Sequence, residues 1–204
     1  IEEGGWIPLF MGLVIYTLMV TWKKGRALHL KRITEDEMEL EPFIQSIKMN
    51  PPFRPDTTAV YLSAHSNGVP HSLLHNIYHN QVLHKSVLLV TVQIQDVPHI
   101  NELEGVSVEK LDFGFNRIIV KYGFKDNPNI PHALEISKRF GIDYEPMKTS
   151  YFLGRDSLVP KLHSGFGYLR ELLYIWMFKN SSSATTYFQI PPNRVVELGT
   201  QRVL

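Results

Sequence analysis

Ser86 to Gln95 reads SVLLVTVQIQ, the most apolar and β-branched run in the chain after its N-terminal stretch. Its hydrophobic residues are continuous rather than alternating, which is the pattern of a strand covered on both faces, so this segment is expected to be a central strand. Upstream, TTAVYLSA (Thr57 to Ala64) is strand-like, the loop HSNGVP follows, and Ser72 to Asn80 carries helical spacing through Leu73, Leu74, Ile77 and Tyr78. That is a β-loop-α unit feeding the central strand. Downstream, GVSVEKL (Gly105 to Leu111) and FNRIIVKYGF (Phe115 to Phe124) flank Asp112-Phe113-Gly114 and read as a hairpin or as two successive short strands. Pro131 to Phe140 is expected to be a helix closed by Gly141, KTSYFLG (Lys148 to Gly154) a strand, and Phe166 to Phe178 a helix. Asn180 to Thr186 is a polar loop of small residues, and RVVELGT (Arg194 to Thr200) closes the chain as a strand or edge segment. Strands alternating with helices predict an α/β fold with a mixed sheet and helices packed on it.

Ahead of this domain, Trp6 to Trp22 (WIPLFMGLVIYTLMVTW) carries no charge, and Lys23, Lys24 and Arg26 follow at once. Seventeen helical residues cover ~25 Å, at the short end of what crosses a bilayer core, with a tryptophan at each end for the interfacial belts. The reading is one transmembrane helix whose basic end is cytoplasmic, which places residues 27–204 in the cytoplasm. A signal peptide would carry its positive charge before the apolar run. Ile1 is not a start methionine, and the chain is expected to be the C-terminal piece of a longer, multi-pass protein. Gly25 to Lys31 reads as a polar linker, and Thr34-Glu35-Asp36-Glu37 as a capping box opening a helix. Met38, Leu40, Phe43, Ile44 and Ile47 supply the apolar side of that helix. Pro42 is placed to break or kink it, and Asn50-Pro51-Pro52 ends it. The expected division is residues 1–26, the membrane helix; 27–56, a juxtamembrane linker and helix; and 57–204, a cytosolic α/β domain.

Composition narrows the function. Lys and Arg number 21 against 20 Asp and Glu, a balance that gives no basic surface for nucleic acid. The absence of cysteine excludes disulfides and thiolate chemistry. No GxSxG, HExxH or kinase-type set is present, so the chain is not expected to be an enzyme. Asp96 and His99 in QDVPH suit the end of a central strand better than an acid-base pair.

Two candidate sites emerge from residue type and spacing. In the strand-to-helix loop, His65, Ser66, Asn67 and Gly68 are candidates for a nucleotide or another anion, since a glycine there would let backbone amides approach a phosphate at the helix N-terminus. His71, His75 and His79 stand at i, i+4 and i+8 on one helical face, a spacing that can hold a metal, serve as a pH-sensitive contact or simply form a polar face. No third-ligand pattern completes a metal site, and His84 falls beyond the helix end. The segment LRELLYIWMF (Leu169 to Phe178) is apolar around nearly its whole circumference and needs a second partner: further protein, another subunit or the membrane surface.

GGWIPLFMG (Gly4 to Gly12), WKKGR (Trp22 to Arg26), LLHNIYHNQVLH (Leu73 to His84), QDVPH (Gln95 to His99), TSYFLGR (Thr149 to Arg155) and IPPNRVVELG (Ile190 to Gly199), in this order, resemble the Kup (KUP/HAK/KT) potassium uptake transporters. The resemblance covers their last membrane helix and cytosolic C-terminal domain. It implies a secondary transporter in the cell membrane that takes up potassium by proton symport, with a cytosolic domain that dimerises and regulates. It also implies a possible regulatory nucleotide rather than a fixed cofactor. The potassium and proton residues of the family lie in its first membrane helices, so none is assigned here. The reading from another class is a membrane-tethered nucleotide-binding or other ligand-binding module.

Overall fold

The computed structural model describes residues 5–35, 38–160 and 166–203. It falls into two compact units. One comprises the described parts of Ile1–Asp36, Asp156–Ser181 and Gln201–Leu204; the other comprises those of Glu37–Arg155 and Ser182–Thr200. The helix after residue 165 and the chain's last described residues group with the N-terminal helix.

In the first unit, α1 runs unbroken over Trp6–Glu35. It is the one helix among the described residues long and apolar enough to cross a membrane. Two expectations are corrected here. Gly25 to Lys31 is helix rather than linker, because Arg26-Ala-Leu-His-Leu-Lys-Arg32 is built mainly of good helix formers and one glycine does not stop them. Thr34 and Glu35 close α1 instead of opening the next helix, while Asp36 and Glu37 lie outside the described residues.

The second unit holds the sheet. Helix α2, Leu40–Met49, buries Leu40, Phe43, Ile44 and Ile47; Met38 stays exposed, outside that face. Pro42 sits in its first turn, where a missing N–H breaks no helical hydrogen bond, so it neither breaks nor kinks the helix. Strand β1 (Thr58–Ser63), α3 (His71–Asn80) and β2 (Ser86–Gln95) form the expected β-loop-α-β unit. Strands β3 (Val106–Lys110) and β4 (Phe115–Gly123) pair antiparallel, Val106 opposite Val120, which makes the segment a hairpin. Helix α4, Ile130–Ser137, continues as a 3₁₀ turn to Phe140 and ends on Gly141 in the left-handed region. Strand β5, Thr149–Val159, outruns its expected end at Gly154, and its residues from Asp156 on belong to the first unit. In the stretch expected to be loop, Ser183 caps a short helix α6, Ala184–Tyr187, and β6 spans Val195–Val203. The remaining helix, α5, covers Phe166–Lys179 and belongs to the first unit.

The sheet has six strands in the order β3-β4-β2-β1-β5-β6. Strands β4, β2, β1 and β5 are parallel, with β3 antiparallel at one edge, so the sheet is mixed. Alternation along the strands splits the core into two. Val60, Leu88, Val90, Ile118, Tyr151 and Leu153 face α4, with Ile130, Ala133 and Leu134. Ala59, Tyr61, Val87, Leu89, Phe115 and Phe152 face α2 and α3. Strand β2 is buried on both faces, as its continuous hydrophobicity requires.

Burial holds the phenols of Tyr61, Tyr122, Tyr144, Tyr151 and Tyr174 above the ordinary tyrosine range. A raised folded-state value means that the unfolded chain releases these protons first as pH climbs past ~10, so stability is full below that pH and falls above it. The absorbance of these tyrosinates is therefore expected to rise together with the loss of far-ultraviolet dichroism in an alkaline titration. Their ionisation in chain that stays folded would contradict this burial.

Candidate functional site at the switch point of the sheet

Strand β1 leads through α3 to β2 on one side, whereas β4 leads through α4 to β5 on the other side of β1. The crossovers thus diverge between β1 and β5, and in open parallel sheets ligands bind beyond the strand carboxyl ends at such a point. The loop with His65, Ser66, Asn67 and Gly68 leaves β1 there.

Its groups are largely engaged within the protein. Val69 N–H donates to Met38 O at 2.9 Å, Leu40 N–H donates to Asn67 O at 3.3 Å, and Gly68 bridges Glu39. His65 N–H donates to Ser63 Oγ at 3.3 Å, and Ser63 Oγ–H donates to His65 O at 2.7 Å. Ser66 Oγ–H donates to Asn67 Oδ1 at 3.2 Å. Gly68 is buried, and the left-handed glycines of the described residues are Gly114 and Gly141. The conformational freedom that motivated a phosphate cradle is therefore not used. The loop offers side chains to solvent at a switch point, with its Val69 amide committed to the segment ahead of α2.

His71 and His75 are half-buried and His79 is exposed; the rings of His75 and His79 stack at 5.7 Å, and Tyr78 meets His79 edge-on at 4.9 Å. Among the described residues no three His, Cys, Asp or Glu side chains are grouped to hold a metal. Asn76, in the same string, is buried and donates to Tyr61 Oη at 2.9 Å and to Val82 O at 3.0 Å, which fixes α3 to β1 and to the chain that follows. His84 packs edge-on against Phe152 at 5.6 Å, and burial pushes its pKa down, which favours the neutral ring.

Asp96 and His99 are not brought together as a pair. Asp126 takes His99 instead, Nδ1 to Oδ1 at 2.6 Å, and accepts from Gly123 N–H at 2.7 Å and Ile100 N–H at 3.1 Å. The hydrogen bond from His99, then those from the two amides, hold its carboxyl below the usual range. Beside it, a cavity of about 270 Å³ opens between the end of β4 and the start of α4, with Tyr122, Glu102 and His132 on its wall. His132 Nε2 lies 2.9 Å from Glu102, and Asn129 Oδ1 caps α4 by accepting from His132 N–H at 2.9 Å. Sequence reading did not single out this cavity. Its one local signal is Asn129 ahead of Pro131, a helix start aimed at the sheet's carboxyl edge.

A second cluster missed from sequence lies in the first unit. Asp156 Oδ2 is 2.9 Å from His29 Nε2, and Arg202 Nε donates to Asp156 Oδ1 at 3.2 Å; all three side chains are at most 20% exposed. Burial pushes the Asp156 carboxyl up, but the His29 hydrogen bond and the charges of Arg202 and His29 outweigh it and keep it below the usual range.

These features define a mixed-sheet α/β module together with a helix long and apolar enough to cross a membrane. The chain belongs to the family described as K+ potassium transporter C-terminal domain, which matches residues 56–204. It is 52% identical over 201 residues to a probable potassium transport system protein Kup of Azoarcus sp. (strain BH72), covering 98% of this chain and 32% of that protein. Proteins of the same description in Aromatoleum aromaticum and Myxococcus xanthus are 52% and 43% identical, each over 98% of this chain and 31% of their own length. The chain thus spans about a third of the curated relatives it matches. No solved structure matches it.

Proposed function

We propose that this chain is the C-terminal part of a potassium uptake transporter in the cell membrane, a proton:potassium symporter, and not an enzyme. In this reading α1 crosses the bilayer, and the α/β unit is cytosolic, pairs two copies of the transporter and tunes uptake. The observation that carries it is the family match over residues 56–204, supported by near-complete coverage of this chain by relatives named as potassium transport proteins.

The continuity of α1 supplies a physical route for regulation. A helix unbroken from Trp6 to Glu35 transmits an axial or rotational shift beyond the membrane without a hinge, and its cytoplasmic turns carry His29 to Asp156 on β5. Such a contact biases transport only if it differs in energy between two transporter states. The charged residues Lys23, Lys24 and Arg26 support a cytoplasmic end there under the positive-inside rule.

Rubidium uptake in cells lacking their own potassium transporters tests this, comparing the full parent protein with one truncated after Arg26. Full-length protein is expected to take up rubidium, and truncation to change rate or pH dependence by about fivefold or more at equal membrane abundance. Unchanged uptake after truncation would remove the regulatory role, and no uptake by well-expressed full protein would remove the transporter.

A further inference from the structure

We infer that the N-terminal half of α5 stands beside α1 in the headgroup and acyl boundary of the bilayer that α1 crosses, with its exposed apolar stripe toward lipid. The inference rests on the proposal that α1 spans. Within the first unit Tyr174 packs on Trp22 at 5.6 Å, and Phe178 meets His29 edge-on at 5.3 Å. A Cβ on Gly25 would collide with the Tyr174 ring. Tyr174 against Gly25 and Phe178 against His29 are the same four-residue step on both helices, ~6 Å at helical rise, so the two run side by side in one direction.

Counting back at that rise sets the level of each α5 residue. Leu172 falls beside Lys23, Leu169 beside Val20 inside the apolar span, and Trp176 beside Ala27 beyond it. Lys23 and Lys24 are exposed and mark the phosphate level. Leu169 is 61% exposed, Leu172 38% and Trp176 61%, at i, i+3 and i+7 on one stripe. The stripe therefore straddles the basic boundary within a few ångströms either way. The stripe rises along α1 rather than lying in the membrane plane, so Leu169 and Leu172 reach the acyl boundary while Trp176 stays on the headgroup side. Arg170 flanks the stripe, half-buried, with a stem long enough to carry its charge outward. Four exposed side chains, Tyr168 included, fall well short of the ~20–30 residues a side of a standard protein interface, which favours lipid over a second copy.

The chain has no cysteine, so single-cysteine variants label cleanly. The 204-residue chain is reconstituted into phosphatidylcholine and phosphatidylglycerol vesicles with an environment-sensitive fluorophore at L172C, at L13C in mid-span, or at Y78C on α3. Quenchers are iodide in water and nitroxide lipids labelled near the headgroup or near the bilayer centre. The Leu172 label is expected to be quenched by the headgroup nitroxide and shielded from iodide roughly fivefold relative to the Tyr78 label, while the Leu13 label answers to the central nitroxide. A lipid-quenched Leu13 label with an iodide-open Leu172 label overturns the docking of α5 alone. Shielding at Leu172 that persists in detergent, without nitroxide quenching, overturns it in favour of a protein partner. A Leu13 label open to iodide overturns the span and the docking together.

Discussion

Gly114→Ala is expected to destabilise the α/β unit by about 3 kcal/mol, a large share of a typical domain's stability. Gly114 has φ +80°, in the left-handed region that side chains other than glycine's rarely adopt. An added Cβ would also collide with Lys85 O, and Lys85 is not free to retreat. Its carbonyl accepts from Arg54 Nη2 at 2.8 Å, the same nitrogen donates to Phe113 O at 2.9 Å, and the guanidinium lies 4.0 Å over the Phe113 ring. Phe113 itself is left-handed at φ 60°, so two successive residues of this turn depend on that brace. Urea unfolding of the full chain, followed by tyrosine burial, checks the effect against Gly154→Ala. Gly154 has open space around its Cβ position, so that variant is expected to be neutral or slightly stabilising. Equal midpoints for the two variants would mean that the turn after β3 gives way at no cost.

Gly25→Leu is expected to open the packing of α5 on α1. Three Tyr174 ring atoms lie within 2.7 Å of the new Cβ alone, and Tyr174 is 2% exposed, with Trp22 against one side. Overpacking at such a site costs about 1–3 kcal/mol, and here it is concentrated on a small apolar cluster of Leu158, Tyr174 and Ile175 with Trp22 and Phe178. The fluorescence of Trp22 and Trp176 is expected to shift, and the α5 segment to lose protection from hydrogen exchange, while β1, β2 and β4 keep theirs. Gly25→Leu combined with Tyr174→Ala restores room and is expected to recover part of that protection. Loss of protection across the sheet as well would instead make the small cluster a keystone of the whole chain.

The contrast between these glycines shows what the sequence carries. Gly141 was legible as a helix stop because that role is local: the helix before it and the left-handed residue are neighbours in the chain. Gly25 was misread as linker because its reason is a ring 149 residues away, and no local pattern encodes it. The candidate loop followed the same logic. That it lies between β1 and α3 was readable; that its Val69 amide is taken by Met38 was not, because the segment before α2 reaches it only in the folded chain. That Asp96 and His99 mark the end of the central strand was readable, whereas the carboxylate that takes His99, Asp126, comes from beyond the next hairpin.

The sequence by itself determined the elements and the family: an apolar span with a basic end, a doubly buried central strand, strands alternating with helices, and ordered strings resembling one transporter family. Hydrophobic period, charge order and turn chemistry are short-range properties, and they act before any tertiary contact forms. Only the tertiary structure decided the strand order that sets the switch point, the cavity beside α4, the His29–Asp156–Arg202 cluster and the pairing of α5 with α1. Each of these depends on side chains far apart in sequence meeting where burial makes a hydrogen bond or a close fit worth more than solvent does.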